Sequence, residues 1–194
     1  MFGKLLRTFF KVVGTVIAIP IAVPFILLGW IGIACDRYAE VSVLAAHLPF
    51  YVGECSRYFY YKFTLKQVGR KVVFKYGSFC QYRNTFIGNR VLIGFYNILG
   101  EVTIGDDVLL GSYVNITSGK NQHSFADVNQ KINAQPALGR VMVHIGNDVW
   151  IGNNAVIAAD IGSRCVVGLG SVVVKKLSSH GVYGGNPAKL IKQI

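Results

Sequence analysis

The chain of 194 residues is long enough for one globular domain with an appendage, and its mean hydropathy of +0.43 is high for a soluble protein. Its 20 Lys and Arg residues exceed its 9 Asp and Glu residues, so the net charge of +11 favours an anionic partner such as nucleic acid, acidic lipid or a phosphorylated ligand. The cysteines lie far apart without a CxxC pair, which argues against a disulfide framework and favours a reducing compartment.

An apolar segment lies near the start of the chain. Residues 12–35 contain no charged side chain, and this length suffices to cross a bilayer as one helix. A cleaved signal peptide is disfavoured because the stretch is too long and no clear cleavage site follows. A single-span anchor and a bent, re-entrant or interfacial hairpin remain. Pro20 and Pro24 favour the bend, and the flanking halves 12–19 and 25–35 are each too short to span.

Residues 41–70 form an aromatic connector. Within it, Glu54 and Arg57 argue against a second span. The surrounding tyrosines and phenylalanines, interspersed with Arg57 and Lys62, are typical of a membrane–water boundary. The same side chains would also suit the base of the following domain, and the sequence leaves both interpretations open.

In the second half of the chain an aliphatic residue recurs about every six positions. These ladder residues are Ile87, Ile93, Leu99, Ile104, Leu110 and Ile116, and then Ile145, Ile151, Ile157, Ile161, Val167 and Val173. Glycine follows most of them, and another small or β-branched residue lies four positions after many. This period suits neither an α-helix nor a strand of an ordinary sheet. It predicts a coil of short strands, in which the ladder side chains stack inward and glycine permits the tight corners.

Three segments of the ladder carry a family resemblance: VTIGDDVLLGSYV at 102–114, HIGNDVWIGNNAVI at 144–157 and YGGNPAKLI at 183–191. They resemble the hexapeptide-repeat acyltransferases, in particular the O-acetyltransferases that act on sugars, over about residues 85–194. The resemblance implies an all-β fold, the left-handed parallel β-helix. It also implies a homotrimer with active sites at subunit contacts, and acyl-CoA, here expected to be acetyl-CoA, as the donor.

The chain is expected to divide into three regions. Residues 1–40 would form an apolar helical membrane segment, residues 41–70 the connector, and residues 71–194 the β-helix domain. Two features depart from the family pattern near the expected donor groove. The segment after Ile157 is shorter by two residues, and Leu169 stands where alanine is common.

One long polar break interrupts the ladder at residues 117–143 and contains His123. The resemblance implies that His123 takes the proton from an acceptor hydroxyl, a task that suits imidazole near neutral pH. Backbone N–H groups of the coil could stabilise the oxyanion, and Asp127 could orient the ring. The alternative is a solvated loop histidine without a role. The close histidine pair that a zinc site needs is absent from the sequence, so we expect no metal.

We expect a donor groove lined by small residues beside one aromatic wall, with lysines that meet the phosphates of coenzyme A. The residues concerned are Gly152, Gly170 and Ser171 for the groove, Trp150 for the wall, and Lys175, Lys176 and Lys189 for the phosphates. The alternative for the lysines is a solvated basic face.

These expectations predict a membrane-bound, acyl-CoA-dependent O-acyltransferase that modifies a sugar hydroxyl of a lipid-linked glycan or its precursor. Acyl-CoA is cytosolic, so residues 12–35 would attach to the cytoplasmic face of the membrane, and a bent segment fits better than a single span. An N-acetyltransferase of a nucleotide-linked amino sugar and a non-catalytic trimeric scaffold stay open as alternatives. Nucleic-acid binding is disfavoured because the basic residues are spread out without a recognised motif.

Overall fold

The computed structural model describes residues 2–120 and 122–194, with a helical N-terminal third followed by a parallel β-helix. The helices are α1 (Phe2–Ala34), α2 (Tyr38–Ala46) and α3 (Phe50–Thr64), and a 3-10 helix lies at Ile132–Ala134. The strands in chain order are β1 (Gln67–Val68), β2 (Val73–Phe74), β3 (Phe79–Cys80), β4 (Phe86–Ile87), β5 (Leu92–Ile93), β6 (Ile98–Leu99), β7 (Val102–Ile104), β8 (Leu109–Leu110), β9 (Asn115–Ile116), β10 (Val143–Ile145), β11 (Trp150–Ile151), β12 (Val156–Ile157), β13 (Val166–Val167), β14 (Val172–Val173), β15 (Gly181–Gly184) and β16 (Lys189–Gln193).

The strands form three sheets, which are the faces of a prism. Sheet A has the order β1-β4-β7-β10, sheet B the order β16-β15-β13-β11-β8-β5-β2, and sheet C the order β14-β12-β9-β6-β3. The chain visits A, B and C in turn, so each coil has an A–B corner, a B–C corner and a C–A corner. In one coil these corners are residues 146–149, 152–155 and 158–160. The final strand β16 runs antiparallel to β15.

The predicted ladder residues form the core of the prism, and each is at most 2% exposed. Small residues predicted at the corners, such as Val91 and Ala155, are buried as well. Below them lies a further coil that the ladder does not include, with Val68, Phe74 and Cys80 in the core. The aliphatic pattern does not reveal this coil, because an aromatic residue and a cysteine occupy two of its ladder positions. The β-helix therefore begins at β1, ahead of the expected boundary.

The glycines that follow the ladder residues were expected to permit the tight corners, but the structure shows a different reason for them. Positive φ angles occur two positions later, at non-glycine residues such as Arg90, Asp107 and Asn154. A Cβ atom at Gly94 would lie 2.3 Å from the carbonyl oxygen of Gly111 in the next coil. Glycine is therefore needed because neighbouring coils approach closely, and the prediction that it supplies the corner conformation was wrong.

The C–A corner varies in length, whereas the other two corners are constant. Within every coil the ladder positions are six residues apart, but the step from Ile157 to Ile161 is four residues. The long loop lies at the same corner, between Ile116 and Val143. The coils nevertheless stay in register, because Ile161 pairs in parallel with Ile145 of the coil below. Length variation is thus confined to one edge of the prism.

Helix α1 runs without interruption through Pro20 and Pro24, so the re-entrant hairpin expected from these prolines is wrong. Both prolines lie on the exposed side of the helix. On the opposite side α1 contacts α3 before and after the prolines: Ser56 Oγ donates to the carbonyl oxygen of Ala18 at 3.2 Å, and Gly29 lies against Tyr60. Both halves of α1 are therefore held against the same helix.

Helix α3 closes the open end of the first coil. The Tyr61 ring lies 4.4 Å from the Phe74 ring, centroid to centroid. Buried Arg57 donates to the carbonyl oxygens of Phe74, Ala46 and Leu48 at 3.0, 3.3 and 2.6 Å. Its guanidinium therefore ties α2, α3 and the first coil together. This part of the connector forms the base of the β-helix, the second of the two interpretations left open by the sequence.

Candidate functional site

The candidate site lies at the C–A corner, where the loop of residues 117–142 leaves the coil. The loop folds back on itself, because His123 and Ala137 form an antiparallel bridge. Across its base, the Val141 N–H donates to the carbonyl oxygen of Ser118 at 3.0 Å. The loop is therefore a closed hairpin that holds His123 away from the rigid prism.

A buried glutamine organises this hairpin. Gln135 is 7% exposed, and its Oε1 atom accepts from Ser124 Oγ and from the Asp127 N–H, both at 3.2 Å. Its Nε2 atom donates to the carbonyl oxygens of Asp127 and Gln130 at 2.8 and 3.2 Å. Gln135 therefore joins the side chain of Ser124, the residue that follows His123, to the backbone of the loop at Asp127 and Gln130. The sequence analysis missed this residue, since a single polar side chain in a loop belongs to no repeat.

The side chain of His123 is exposed and so open to a bound molecule. Asp127 lies farther along the hairpin, where its Oδ1 atom accepts from the Asn129 N–H at 2.9 Å. This carboxylate thus takes part in a turn of its own loop. Its orientation of the His123 ring stays a prediction.

The base of the loop separates two clefts along the C–A corner. The C-terminal cleft has a volume of about 280 Å³ and is lined by both ends of the loop and by the C–A corners of later coils. Its basic lining residues are Lys120 and Lys176, and much of its wall is apolar, including Val141 and Ala159. It has the narrow, largely apolar character suited to a flexible chain with an anionic end.

The N-terminal cleft, between the helices and the first coils, has a volume of about 480 Å³. Arg140 of the loop lines it, and its Nε atom donates to Glu101 Oε1 at 2.9 Å. Asn84 Nδ2 donates to the other carboxylate oxygen at 3.3 Å, and the Arg140 guanidinium lies 4.3 Å from the Tyr82 ring centroid. The hydrogen bond to Glu101 raises the pKa of Arg140. These donors and acceptors beside an aromatic ring suit a polyhydroxylated ligand. The sequence reasoning missed them because they lie in three separate segments.

The residues predicted for the donor groove lie mainly at the B–C corner. Trp150 is on sheet B and 53% exposed, and Gly152 and Gly170 lie at the corner that follows. Gly170 has a φ of +65° and no atom near the position of a Cβ, so this part of the corner is open. Ser171 is fully buried and faces the interior. Its side chain cannot line a surface groove, and the prediction for Ser171 was wrong because this position belongs to the inward-facing corner set.

The three predicted lysines separate in space. Lys175 and Lys176 are exposed at the C–A corner, and Lys176 lines the C-terminal cleft. Lys189 is exposed on β16, at the end of sheet B. The structure therefore brings Lys176 together with the base of the His123 loop, while Lys189 belongs to another face of the prism.

Comparison with known proteins points to the same family throughout the β-helix. Residues 142–175 match the family model described as the hexapeptide repeat of succinyl-transferase. The galactoside O-acetyltransferase of Escherichia coli is 33% identical over 128 residues, which is 63% of this chain and 58% of that protein. The chain thus matches somewhat more than half the length of this curated relative.

Solved structures show the same architecture. A maltose O-acetyltransferase from Clostridium difficile superimposes with a TM-score of 0.72 at 26% identity, over 81% of this chain and 85% of that chain. A galactoside acetyltransferase in complex with coenzyme A has a TM-score of 0.66 at 22% identity, over 84% and 82% of the two chains, a likeness in fold. With the repeat match and the sequence identity, these similarities show that the chain resembles hexapeptide-repeat acetyltransferases in sequence and fold.

Proposed function

We propose that this protein is a membrane-bound O-acyltransferase that transfers an acetyl group from acetyl-CoA to a sugar hydroxyl of a lipid-linked glycan or its precursor. The observation that carries the proposal is the hairpin at the C–A corner, which carries an exposed His123 and whose base lines two clefts of different chemistry. The named sugar O-acetyltransferases among the relatives support the reaction class.

In the proposed reaction the His123 imidazole accepts the proton of the acceptor hydroxyl as its oxygen attacks the thioester carbonyl. Negative charge develops on the carbonyl oxygen, and backbone N–H groups of the coil would stabilise it. Collapse of the tetrahedral intermediate breaks the carbon–sulfur bond. The imidazolium then returns the proton to the coenzyme A thiolate, so that ester and free thiol leave and His123 is neutral again.

The N-terminal cleft is the proposed site for the acceptor sugar. Its charged and amide groups at Glu101, Arg140 and Asn84 can exchange hydrogen bonds with several hydroxyls, and the Tyr82 ring offers an apolar edge. The cleft also adjoins the C-terminal end of α1, so a sugar carried on a membrane lipid would reach it from the helical base.

The donor would use the C-terminal cleft, with Lys120, Lys175 and Lys176 near the phosphates of coenzyme A. Gly152 and Gly170 lie on another edge of the same protomer. A homotrimer of left-handed β-helices, in which the C–A corner of one protomer faces the B–C corner of the next, would unite both sets in one groove.

The membrane part of the proposal is supported by α1. Its segment Lys11–Ala34 has a mean hydropathy of 2.5, long and apolar enough for a membrane. Because acyl-CoA is a cytosolic donor, the proposed location is the cytoplasmic face.

The first test is thiol release from acetyl-CoA by detergent-purified protein, with total membrane lipid extract as acceptor. We expect lipid-dependent release to fall by about 100-fold or more in His123→Ala, because the general base is lost. His144→Ala is the matched control, since the His144 side chain is exposed on sheet A and lines neither cleft, and it should keep wild-type activity. Equal activity of wild type and His123→Ala would contradict the assigned base, and absence of both thiol release and coenzyme A binding would favour a scaffold.

A further inference from the structure

Helix α1 has two faces of different character. Its outward face is a continuous apolar strip whose side chains are 47% to 61% exposed: Val12, Val16, Ile19, Val23 and Leu27. These positions recur at the helical period and lie on one side of α1. A face of this size rarely remains in contact with water.

The inward face packs closely on α3, and the two helices run parallel. A Cβ atom at Gly14 would lie 2.8 Å from the Tyr51 ring, and one at Gly29 would lie 2.8 Å from the Tyr60 ring. Small residues between them, such as Ala18, are fully buried. The contact therefore covers about 22 Å of α1, the length of α3.

Helix α3 is in turn fixed to the β-helix by charged groups. Lys75 of the first coil forms an ion pair of 2.6 Å with Glu54, and Lys62 donates to the carbonyl oxygen of Val68. If α1 crossed a bilayer, α3 beside it would enter the hydrocarbon with Glu54 and Arg57, which is energetically costly. The packing therefore disfavours a spanning α1.

We propose that α1 lies in the plane of the membrane, with its outward strip in the acyl-chain boundary and α2, α3 and the β-helix above it. This deepens the membrane part of the proposed function and rests on it. In an ordinary interfacial helix the side that faces away from the membrane is polar. On α1 the rest of the protein covers that side instead. Exposed basic residues on or beside the helices, Lys11, Lys62 and Lys66, together with the net charge of +11, favour a surface of anionic phospholipid.

Vesicle binding tests this arrangement without any measurement of acyl transfer, so its failure is distinct from failure of the enzyme assignment. The full chain should co-sediment with phosphatidylcholine vesicles that contain phosphatidylglycerol, and less with phosphatidylcholine alone or at high salt. Val16→Asp with Val23→Asp should reduce binding by about tenfold or more, because charge enters the apolar boundary. Both side chains are exposed, so the fold should persist. Val128→Asp with Ile132→Asp is the matched control on the exposed loop and should bind as wild type.

Labelling from one side of sealed vesicles distinguishes in-plane from spanning helices. We expect a membrane-impermeant maleimide, added to bound protein, to modify both Lys11→Cys, which lies off the outward strip, and the exposed Cys35 at the other end of α1. Modification of only one end would overturn the proposal in favour of a span. Absence of vesicle binding, with a light-scattering mass that falls in the double α1 variant, would overturn it in favour of a second copy of the chain as the cover.

Discussion

A glycine after a ladder residue matters through its contact with the neighbouring coil. The carbonyl oxygen of Gly111 lies where a Cβ at Gly94 would point, and backbone cannot move aside as a flexible side chain can. At Gly170 the space is empty, and only the positive φ opposes a side chain. Two glycines of the same repeat are therefore expected to respond differently to the same substitution.

We predict that Gly94→Ala destabilises the protein by about 3 kcal/mol, because two coils must separate locally. Gly170→Ala should cost about 1 kcal/mol, the cost of a left-handed backbone for alanine. Thermal unfolding of the two variants in the same detergent measures the difference. Equal losses would mean that the corner conformation, rather than the approach of coils, sets the requirement for glycine.

Cysteine reactivity should follow burial at the residue scale. Burial raises the pKa of the Cys80 thiol well above its ordinary value, and the side chain is inaccessible in the core of the first coil. We predict that iodoacetamide modifies the exposed Cys35 in the native protein but leaves Cys80 unmodified until denaturation. Mass spectrometry of proteolytic digests after native labelling identifies which cysteines are modified. Early modification of Cys80 would show that the helices that close the first coil open.

At the scale of elements, α2 and α3 are joined to the β-helix through one buried cation. Arg57 supplies donors to three carbonyl oxygens in three segments, and burial lowers the pKa of its guanidinium. We predict that Arg57→Met destabilises the protein by roughly 3 kcal/mol, because these carbonyls lose their donors. Arg57→Lys should recover little, since one ammonium cannot match the planar fork. Unfolding temperatures with all three side chains test this, and full recovery by lysine would contradict it.

The hairpin at the C–A corner depends on Gln135 in a comparable way. We predict that Gln135→Leu lowers kcat for acetyl transfer by about tenfold or more, because Ser124 beside His123 and the loop backbone at Asp127 and Gln130 lose these hydrogen bonds. The KM for acetyl-CoA should change little, and the unfolding temperature should hold, since the loop lies outside the core. A raised KM with an unchanged kcat would instead assign Gln135 to donor binding.

At the scale of the whole molecule, the proposed homotrimer would share each site between two protomers. His123 and Lys176 lie at the C–A corner, whereas Gly152 and Gly170 lie at the B–C corner of the same chain. Two inactive variants can therefore complement each other in a mixed trimer. Leu169→Glu suits the second role, because this side chain is 73% exposed at the B–C corner and a carboxylate there would repel an anionic donor.

We predict that co-expressed His123→Ala and Leu169→Glu chains recover about a quarter of the wild-type activity, since a quarter of randomly mixed contacts join two intact contributions. Each variant alone should be inactive. Mixing the separately purified trimers without exchange is the control. Failure to recover activity in verified mixed trimers would mean that each protomer holds a complete site.

The sequence predicted the coil because its repeat reflects one physical requirement, an apolar residue facing inward once per side of the prism. It missed the first coil, where Phe74 and Cys80 meet that requirement with other side chains. It misjudged the prolines of α1, because the packing on α3 that holds both halves of this continuous helix comes from a distant segment. The polar cleft around Glu101 and Arg140 could not be predicted from the sequence, because its residues come from segments that meet only in the folded protein.

The uneven C–A corner has a consequence for how such a protein can change. Residues can be gained or lost at this edge without shifting any side chain on the three faces, because the next coil restores its register through pairs such as Ile145 with Ile161. The scaffold therefore tolerates new loops along one seam, and that seam also carries His123 and both clefts. Substrate specificity could change there through exchange of a single loop, while the other two edges continue to stabilise the fold.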